Sequence, residues 1–423
     1  MFFKVKKTEE VLEIVKGFLP AGTESVSIED ALGFTLCRDI YSPEDLPGFH
    51  RSSMDGYAVR AKDTFGASES IPAFLEIAGE VEMGKSPDVK GTQGKAFRIS
   101  TGGMLPEETD GVVMLEFCHM LDERTIEVSK AISPLENVIC PGDDFRNDSL
   151  VFKTGKTLRP QDIGLLAGLG ISYVHVYKRP RIAIISTGDE IVPVEKKPEP
   201  GQVRDINSYT LAAFCRQVGA IPTIMGLCDD NFLQLKELLS RSLDFADSVW
   251  ISGGSSVGAR DMTLKVLESF NDMALLVHGI SISPGKPTII AKIGEHAVFG
   301  LPGHAASAMV VAEVFLREFI ASLRGVRERD DYKNNIIKAE LSRNIESKNG
   351  RDDFIRVRIE KRDDRLIASP IFGKSGLIST LVEADGLVRI DRNLEGVYQG
   401  EAVDVILFNG PGGSNDLMVV DHD

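Results

Sequence analysis

The sequence lacks the cysteine and histidine spacings that are typical of a bound zinc ion. Its five cysteines are scattered, odd in number and never in a C-x-x-C pair, so neither a structural zinc site nor a disulfide framework is indicated. The seven histidines show no H-x-x-x-H or H-E-x-x-H spacing, which argues against a catalytic zinc. This cysteine usage fits a reducing compartment.

The sequence also lacks net positive charge and long apolar runs. It has 48 Lys and Arg against 63 Asp and Glu, a formal net charge of −15, which repels nucleic acid and anionic membranes. No uninterrupted apolar run is long enough to cross a bilayer, and the N-terminal segment mixes charged and apolar residues, unlike an export signal. We therefore expect a cytoplasmic protein that binds small molecules, with no nucleic-acid or membrane partner.

The length of 423 residues and a hydrophobic content of 43% predict a folded chain of about three domains or more, because one hydrophobic core rarely grows so large. A helix is predicted over 8–18, and short apolar segments between turns predict a β-rich module over about 71–132. Residues 157–176 read as a helix followed by a strand. Lys178, Arg179 and Pro180 mark a domain boundary, and 330–423 read as a small β domain.

The strongest pattern begins at Arg181, where apolar β-branched runs alternate with amphipathic stretches. Helices are predicted near 207–218 and 232–242, from Asp261 onward, and up to about Leu323. This alternation is typical of a parallel sheet covered by helices on both faces. We therefore expect a central doubly wound α/β domain.

Acidic side chains follow successive strands of this predicted sheet. Glu190 follows the first strand, Asp229 and Asp230 the second, and Asp261 ends the loop after the third. The carboxyl ends of parallel strands meet at one edge, and oxygen-only ligands with retained water suit Mg²⁺. The alternative is that Asp230 and Asp261 are helix N-caps, where Asp is favoured.

Two further segments have the composition of an anion site. The loop Gly253-Gly254-Ser255-Ser256-Val257-Gly258 can present N–H groups and hydroxyls to a phosphate, although a plain strand-to-helix turn explains it almost as well. Lys286, between Gly285 and Pro287, suits a fixed charge facing an anion, or is a surface lysine in a turn. Neither segment matches a dinucleotide or P-loop motif. His278 and His304, near the same edge, are interpreted as packing or turn residues.

Several segments together resemble the molybdopterin molybdenumtransferase family, which includes MoeA in bacteria and the gephyrin E domain in animals. They are SSMDGYAVR (52–60), ISTGG (99–103), ISTGDEIV (185–192), GQVRDIN (201–207), SGGSSVGARD (252–261), PGKP (284–287) and GLPG (300–303). The resemblance implies a homodimer of four domains. They are a discontinuous dimerisation domain (1–45 and 145–177), an inserted β-rich domain (46–144), an α/β molybdopterin-binding domain (178–328) and a C-terminal β-barrel domain (329–423).

The same resemblance implies a set of site residues between domains of different protomers. Asp55, Thr101 and one of Asp143 and Asp144, the second being preferred, would come from the inserted domain. Catalytic or metal-binding residues of the α/β domain would be Glu190, Asp230, Asp261 and Lys286, with Glu190, Asp230 and Asp261 as Mg²⁺ ligands. Substrate would be bound by Gly253, Gly254, Ser255, Ser256, Gly258, Asp144, Pro302 and Gly303.

The activity that the resemblance implies is insertion of molybdate into adenylyl-molybdopterin, with Mg²⁺ and release of AMP. Transient contacts with a molybdopterin adenylyltransferase or with recipient molybdoenzymes would accompany it. The alternatives are a carrier that binds molybdopterin without inserting metal, and a molybdopterin adenylyltransferase.

The chain departs from the family pattern around the anion site. Ser283 and Gly279 stand where relatives often carry basic residues, PGHAAS replaces the usual PGNPVS, and His50-Arg51 replaces Asp-Asn. These changes favour the carrier alternative, unless Arg51, His278 or His304 restores the positive charge.

Overall fold

The computed structural model of the protein describes residues 5–253, 257–327 and 335–408, and all structural statements below concern these residues. The helices are α1 (Thr8–Lys16), α2 (Pro160–Gly168), α3 (Asn207–Gln217), α4 (Phe232–Leu243), α5 (Val257–Glu268), α6 (Ala305–Val311), α7 (Arg317–Leu323) and α8 (Ser379–Val382). A π-helical turn, Ala312–Leu316, joins α6 to α7. Among the described residues, no helix combines the length and the apolar character needed to span a membrane.

The first fourteen strands are β1 (Thr23–Ser27), β2 (Ile40–Tyr41), β3 (Arg51–Ser52), β4 (Gly56–Val59), β5 (Ala73–Glu80), β6 (Lys95–Ile99), β7 (Gly111–Met114), β8 (Cys118–Met120), β9 (Thr125–Val128), β10 (Val138–Ile139), β11 (Leu150–Phe152), β12 (Tyr173–Tyr177), β13 (Arg181–Thr187) and β14 (Ile191–Val192). The others are β15 (Val203–Arg204), β16 (Ile221–Cys228), β17 (Ser248–Gly253), β18 (Met273–His278), β19 (Ile282–Ser283), β20 (Ile289–Ile293), β21 (His296–Leu301), β22 (Ile336–Leu341), β23 (Ile345–Glu346), β24 (Asp352–Arg362), β25 (Arg365–Pro370), β26 (Gly386–Ile390), β27 (Gly396–Val397) and β28 (Ala402–Leu407).

The chain forms two compact units. The first unit comprises 1–38, 154–159 and 173–423, and the second comprises 39–153 and 160–172. The second unit contains a six-stranded sheet in the order β7-β4-β6-β5-β9-β8, the short pairs β10-β3 and β11-β2, and helix α2. Strands β5 to β9 of this sheet lie within the β-rich module that the sequence analysis predicted over about 71–132. The division into four domains, with its boundaries, stays a prediction.

The centre of the first unit is a six-stranded sheet in the order β16-β13-β17-β21-β20-β18. Alternate residues of β13 enter two different cores: Ile182 and Ile184 pack with Phe214 of α3, while Ala183 and Ile185 pack on the other side with residues of α4 and α5. A strand buried on both faces is therefore apolar throughout. The predicted doubly wound α/β domain is confirmed.

The sheet is parallel, as the sequence pattern indicated, except at two of its six strands. β16, β13, β17 and β21 are parallel, but β20 runs antiparallel to β21, and β18 antiparallel to β20. No helix lies between β18 and β20, or between β20 and β21. A short connection can join only antiparallel neighbours, because parallel strands need a long crossover.

The expected starts of two helices also need correction. Helix α5 begins at Val257, so Asp261 lies one turn inside it and is neither a loop residue nor an N-cap. The N-cap of α4 is Asn231, whose side chain accepts the N–H groups of Leu233 and Gln234. The N-cap interpretation therefore fails for both Asp230 and Asp261.

The C-terminal part of the first unit is a closed five-stranded barrel, as predicted. Its strands run in the order β24-β25-β22-β28-β26, and β26 pairs back with β24. The short strand β19, which precedes the PGKP segment, extends the sheet by pairing with Asp352 and Asp353 at the start of β24. The main chain next to PGKP is therefore fixed directly to the barrel.

An ionic cluster joins α1 to the same end of the barrel. Asp352 is fully buried, and its carboxylate accepts hydrogen bonds from the Thr8 hydroxyl, from Arg389 Nη2 at 3.1 Å and from the Arg392 main-chain N–H at 3.1 Å. Glu9 pairs with both arginines. Burial alone would raise the pKa of Glu9, but the hydrogen bonds from Arg389 and Arg392 outweigh burial and lower this pKa to about 2.

We expect Asp352→Asn to destabilise the first unit by about 3 kcal/mol, because it removes the charge of a fully buried carboxylate that pairs with Arg389 and Arg392. Fluorescence of Trp250, the single tryptophan, buried in β17, reports urea unfolding of this unit. Asp404→Asn is the matched control, since Asp404 forms an exposed ion pair with Lys338. Equal urea midpoints for the two variants would contradict a stabilising role of the cluster.

Candidate functional site

The acidic residues predicted to gather at the carboxyl ends of β13 and β16 do so. Asp189 Oδ1 accepts the main-chain N–H of Asp230 at 2.9 Å, which ties the two strand-end loops together. Burial is the main cause of a raised pKa at Asp230, and the charges of Asp189, Glu190 and Asp229 raise it further. The carboxylates of Asp189, Glu190, Asp229 and Asp230 therefore lie at one edge of the sheet. Asp261 is not among the residues whose charge raises the pKa of Asp230.

Gly188 gives Glu190 its position. It has φ +144°, and a Cβ at this residue would lie 2.6 Å from Glu190 Oε2. A side chain at 188 would be strained and would collide with the Glu190 carboxylate. The TGDE sequence thus lets the Glu190 side chain fold back over its own loop.

A buried polar network lies behind the acidic edge and was missed as a site feature by the sequence analysis. Asp205 is 7% exposed, and its Oδ1 accepts the Ser186 hydroxyl and the Ser208 N–H, each at 3.0 Å. Asn207 Nδ2 donates to Ser252 Oγ at 2.7 Å and to Gly303 O at 2.8 Å. These bonds fix the GLPG loop to the ends of β13 and β17. The signal was present in GQVRDIN, which was noted as a motif without roles for its residues.

The PGKP segment forms a rigid connection between β18 and β20. Gly285 has φ +117°, and a Cβ there would lie 2.7 Å from Ile282 Cδ1. The Thr288 hydroxyl donates to Gly285 O at 2.7 Å, and the Ile280 N–H donates to Lys286 O at 2.9 Å. The Lys286 side chain is exposed. It therefore presents its charge from a fixed main chain, and the predicted anion-facing role stays a prediction.

Lys286 lines a pocket of about 250 Å³ together with Arg351, His304, Ser307 and the PGKP and GLPG main chains. A water molecule occupies about 30 Å³ of the liquid, so a tetrahedral oxyanion fits with room to spare. Arg351 precedes barrel strand β24, and its Nε lies 2.9 Å from Asp353 Oδ1. We call this the oxyanion pocket. Its second cation, Arg351, was missed because nothing in the sequence brings residue 351 next to residue 286.

A second pocket, of about 290 Å³, adjoins it. Glu190, Arg204, Asp205 and Asn207 line the second pocket, while Gly303 and His304 line both pockets. Pro302 contributes to the oxyanion pocket. His278 and Asp261 line neither of these two pockets. Of the predicted residues, the structure thus brings Glu190, Lys286, Pro302 and Gly303 to two cavities that share part of their lining.

The predicted Gly/Ser loop lies only partly within the described residues. Gly253 ends β17, and a Cβ there would lie 1.9 Å from Thr187 Oγ1, so only glycine fits. Gly258 lies in the first turn of α5. Gly254, Ser255 and Ser256 lie outside the described residues.

The predicted residues of the second unit form their own small cluster. Thr101 donates its main-chain N–H and its hydroxyl to Asp55 Oδ1, at 2.7 and 2.9 Å, and these hydrogen bonds lower the pKa of Asp55. Gly56 is required beside Asp55, because a Cβ there would lie 2.0 Å from Val113 O. In the PGDD turn Asp143 and Asp144 are both exposed, and Asp143 Oδ2 accepts the Cys140 N–H. The preference for Asp144 stays a prediction.

The fold and the site together define a class of protein. It is a multidomain chain with a doubly wound α/β domain and a C-terminal barrel, and the loops at the strand ends of the α/β domain carry both acidic and basic side chains. Family models match three successive parts of it. Residues 6–170 match the MoeA N-terminal region (domain I and II), 183–322 a "Probable molybdopterin binding domain", and 338–408 the MoeA C-terminal region (domain IV).

Individual relatives cover nearly the whole chain. A molybdopterin molybdenumtransferase of Haemophilus influenzae is 32% identical over 392 residues, 92% of this chain and 95% of its own length. One from Bacillus subtilis is 28% identical over 397 residues, 93% of this chain and 91% of its own. The crystal structure of a molybdopterin biosynthesis MoeA protein from Pyrococcus horikoshii is 37% identical, with a TM-score of 0.81, and covers 96% of this chain and 100% of its own. The chain belongs to the MoeA family, as the sequence motifs indicated.

Proposed function

We propose that this protein is a molybdopterin molybdenumtransferase that inserts molybdate into adenylyl-molybdopterin and releases AMP. The observation that carries the proposal is a pair of cavities that share Gly303 and His304 in their linings, one lined also by Lys286 and Arg351 and the other by Glu190. The cavity proposed for a tetrahedral dianion is therefore bordered by the same two residues as the cavity that contains the acidic Glu190. The relatives named as molybdenumtransferases support the same reaction.

The lining of the oxyanion pocket bears on the uncharged Ser283 and Gly279. Lys286 and Arg351 line the cavity, and Arg351 also pairs with Asp353. Preorganised cations stabilise the negative charge of molybdate and of the substrate phosphate while the metal is transferred. This arrangement supports metal insertion over the carrier alternative.

Mg²⁺ fits the acidic edge as a cation that arrives with the substrate. Among the described residues, no group of three or more His, Cys, Asp or Glu side chains is arranged to hold a metal ion. Mg²⁺ usually takes only one or two carboxylates and completes its shell with water and substrate phosphates. Glu190 and Asp230 would be the carboxylates, and the bound ion would neutralise the charge of the phosphate. The role of Asp261 as a third ligand remains a prediction.

The rest of the proposal follows from the family. We propose that the protein acts as a homodimer in the cytoplasm, that Asp55, Thr101 and Asp144 serve its site, and that transient contacts with an adenylyltransferase or a recipient enzyme deliver substrate and product. Asp55 suits such a role, since its hydrogen bonds to Thr101 favour the ionised carboxylate.

The test is a reaction of purified protein with adenylyl-molybdopterin, Mg²⁺ and molybdate. We expect AMP release that requires all three reactants and consumes no ATP. A molybdopterin adenylyltransferase would instead consume ATP and molybdopterin. AMP release no faster than in the absence of protein would leave the carrier function as the better explanation.

A further inference from the structure

His304 stands at the junction of the two cavities. It and Gly303 are the two residues that line both the oxyanion pocket and the second pocket. Its side chain is exposed and it lies in the bend before α6, so of the two interpretations in the sequence analysis, packing or turn residue, the structure fits the turn residue. An imidazole gains a positive charge between about pH 8 and pH 5. His304 is therefore the one residue of the junction that can change its charge near neutral pH.

The ring of His304 is held by Ser375, and a main-chain hydrogen bond keeps Ser375 next to the start of α6. Its Nδ1 lies 2.9 Å from Ser375 Oγ, and the Ala306 N–H donates to Ser375 O at 3.3 Å. The connection after β25 that carries Ser375 is anchored by the buried Arg356, whose Nη2 donates to Gly373 O at 2.9 Å. Because Ser375 engages Nδ1, Nε2 is the ring nitrogen left for a ligand.

We propose that His304 is a specificity-determining residue that adds a pH-dependent positive charge to the oxyanion pocket and so sets the affinity for molybdate. This inference rests on the proposed function, because it takes a tetrahedral dianion as the substrate. In the charged ring both nitrogens donate: Nδ1–H to Ser375 Oγ and Nε2–H to the oxyanion. Oxyanion binding is then accompanied by proton uptake, since a bound dianion favours the charged form.

The charged groups around His304 fit this role. The oxyanion pocket contributes Lys286 and Arg351, and the buried Asp353, whose Oδ1 lies 2.9 Å from Arg351 Nε, offsets part of the Arg351 charge. The second pocket contributes Glu190, Arg204 and Asp205, and Asp205 already accepts two hydrogen bonds within its own network. A dianion beside Lys286 and Arg351 adds negative charge next to the His304 ring. The third charge therefore becomes favourable when the substrate is present.

The experiment measures molybdate binding to the full-length protein by titration calorimetry, without Mg²⁺ or pterin, at about pH 6 and about pH 8.5, where molybdate remains a dianion. We expect the wild-type protein to bind roughly tenfold more tightly at the lower pH, the effect of one charged hydrogen bond. His304→Asn should bind equally at both pH values, with an affinity near that of the wild type at the higher pH. His304→Gln should behave in the same way.

His296→Asn is the matched control, because His296 begins β21 at the opposite edge of the sheet and bonds to Ala246 O. It should keep the wild-type pH dependence. A full pH dependence in His304→Asn and His304→Gln, or no pH dependence in the wild type, overturns the proposal. The calorimetric result tests this proposal independently of the enzymatic reaction. If the protein releases no AMP but its molybdate binding depends on His304, the transferase function is rejected and the oxyanion proposal stands.

Discussion

Lys286→Gln is expected to slow molybdate-dependent AMP release by roughly 100-fold, the usual cost of removing one preorganised charge from the site of a charge-transferring reaction. Lys286 is held by a main chain with two internal hydrogen bonds and faces a cavity that Arg351 shares. Glutamine keeps most of the length of the side chain and loses only the charge. The loss should appear mainly as weaker binding of molybdate, because Arg351 alone cannot hold a dianion as tightly.

Steady-state AMP release at varied molybdate concentration measures this effect. Lys292→Gln is the matched control: Lys292 lies near the far end of β20, where it pairs with the exposed Glu295. The control should stay within twofold of the wild type. Equal rates and equal molybdate dependence in Lys286→Gln and Lys292→Gln would show that the cavity is not the oxyanion site.

Asp230→Asn should have two effects of opposite kind. AMP release should fall by roughly 100-fold at low Mg²⁺, because one of the two carboxylates proposed to hold the ion is lost. At the same time the protein should unfold at a higher temperature near neutral pH. Burial and three neighbouring carboxylates raise the pKa of Asp230 in the folded protein, so the ionised form is disfavoured there and asparagine removes that disadvantage.

The pH dependence of this gain in stability follows from the direction in which the pKa of Asp230 is shifted. A group whose pKa is higher in the folded than in the unfolded protein favours folding below its unfolded value, and this contribution is lost as pH rises through the folded value. The stability gain of Asp230→Asn should therefore be largest near neutral pH and disappear in acid. Asp244→Asn, at the other end of α4, is the activity control. If Asp230→Asn melted at a lower temperature than the wild type near neutral pH, this would contradict the claim that the crowded carboxylates disfavour the ionised Asp230.

The local pattern of the sequence predicted most of the fold. Strand β13 could be predicted because both of its faces are buried, so its residues are apolar without interruption. The antiparallel direction of β18 and β20 could not be predicted, because a parallel and an antiparallel strand bury the same side chains. The two directions differ in whether a helix connects the strands, and the sequence near PGKP leaves the path of the chain undetermined.

The site was predictable where one loop carries the chemistry, and not where distant segments meet. Glu190 follows a strand of the central sheet, so the strand-end rule located it, and Lys286 was singled out by its position between Gly285 and Pro287. Arg351 belongs to the barrel and enters the oxyanion pocket because β19 pairs with β24. Asn231 shows a different limit: Asp230 and Asn231 are both good caps, and only the hydrogen bonds of Asn231 decide between them.

The most direct measurement follows both products of a single reaction, AMP by chromatography and molybdenum bound to the released pterin by mass spectrometry, for the wild-type protein and for Lys286→Gln. We expect one molybdenum inserted per AMP released in the wild type, and both products reduced together in the variant. AMP without molybdenum-loaded pterin, or neither product above the protein-free reaction, would contradict the conclusion that this chain inserts the metal.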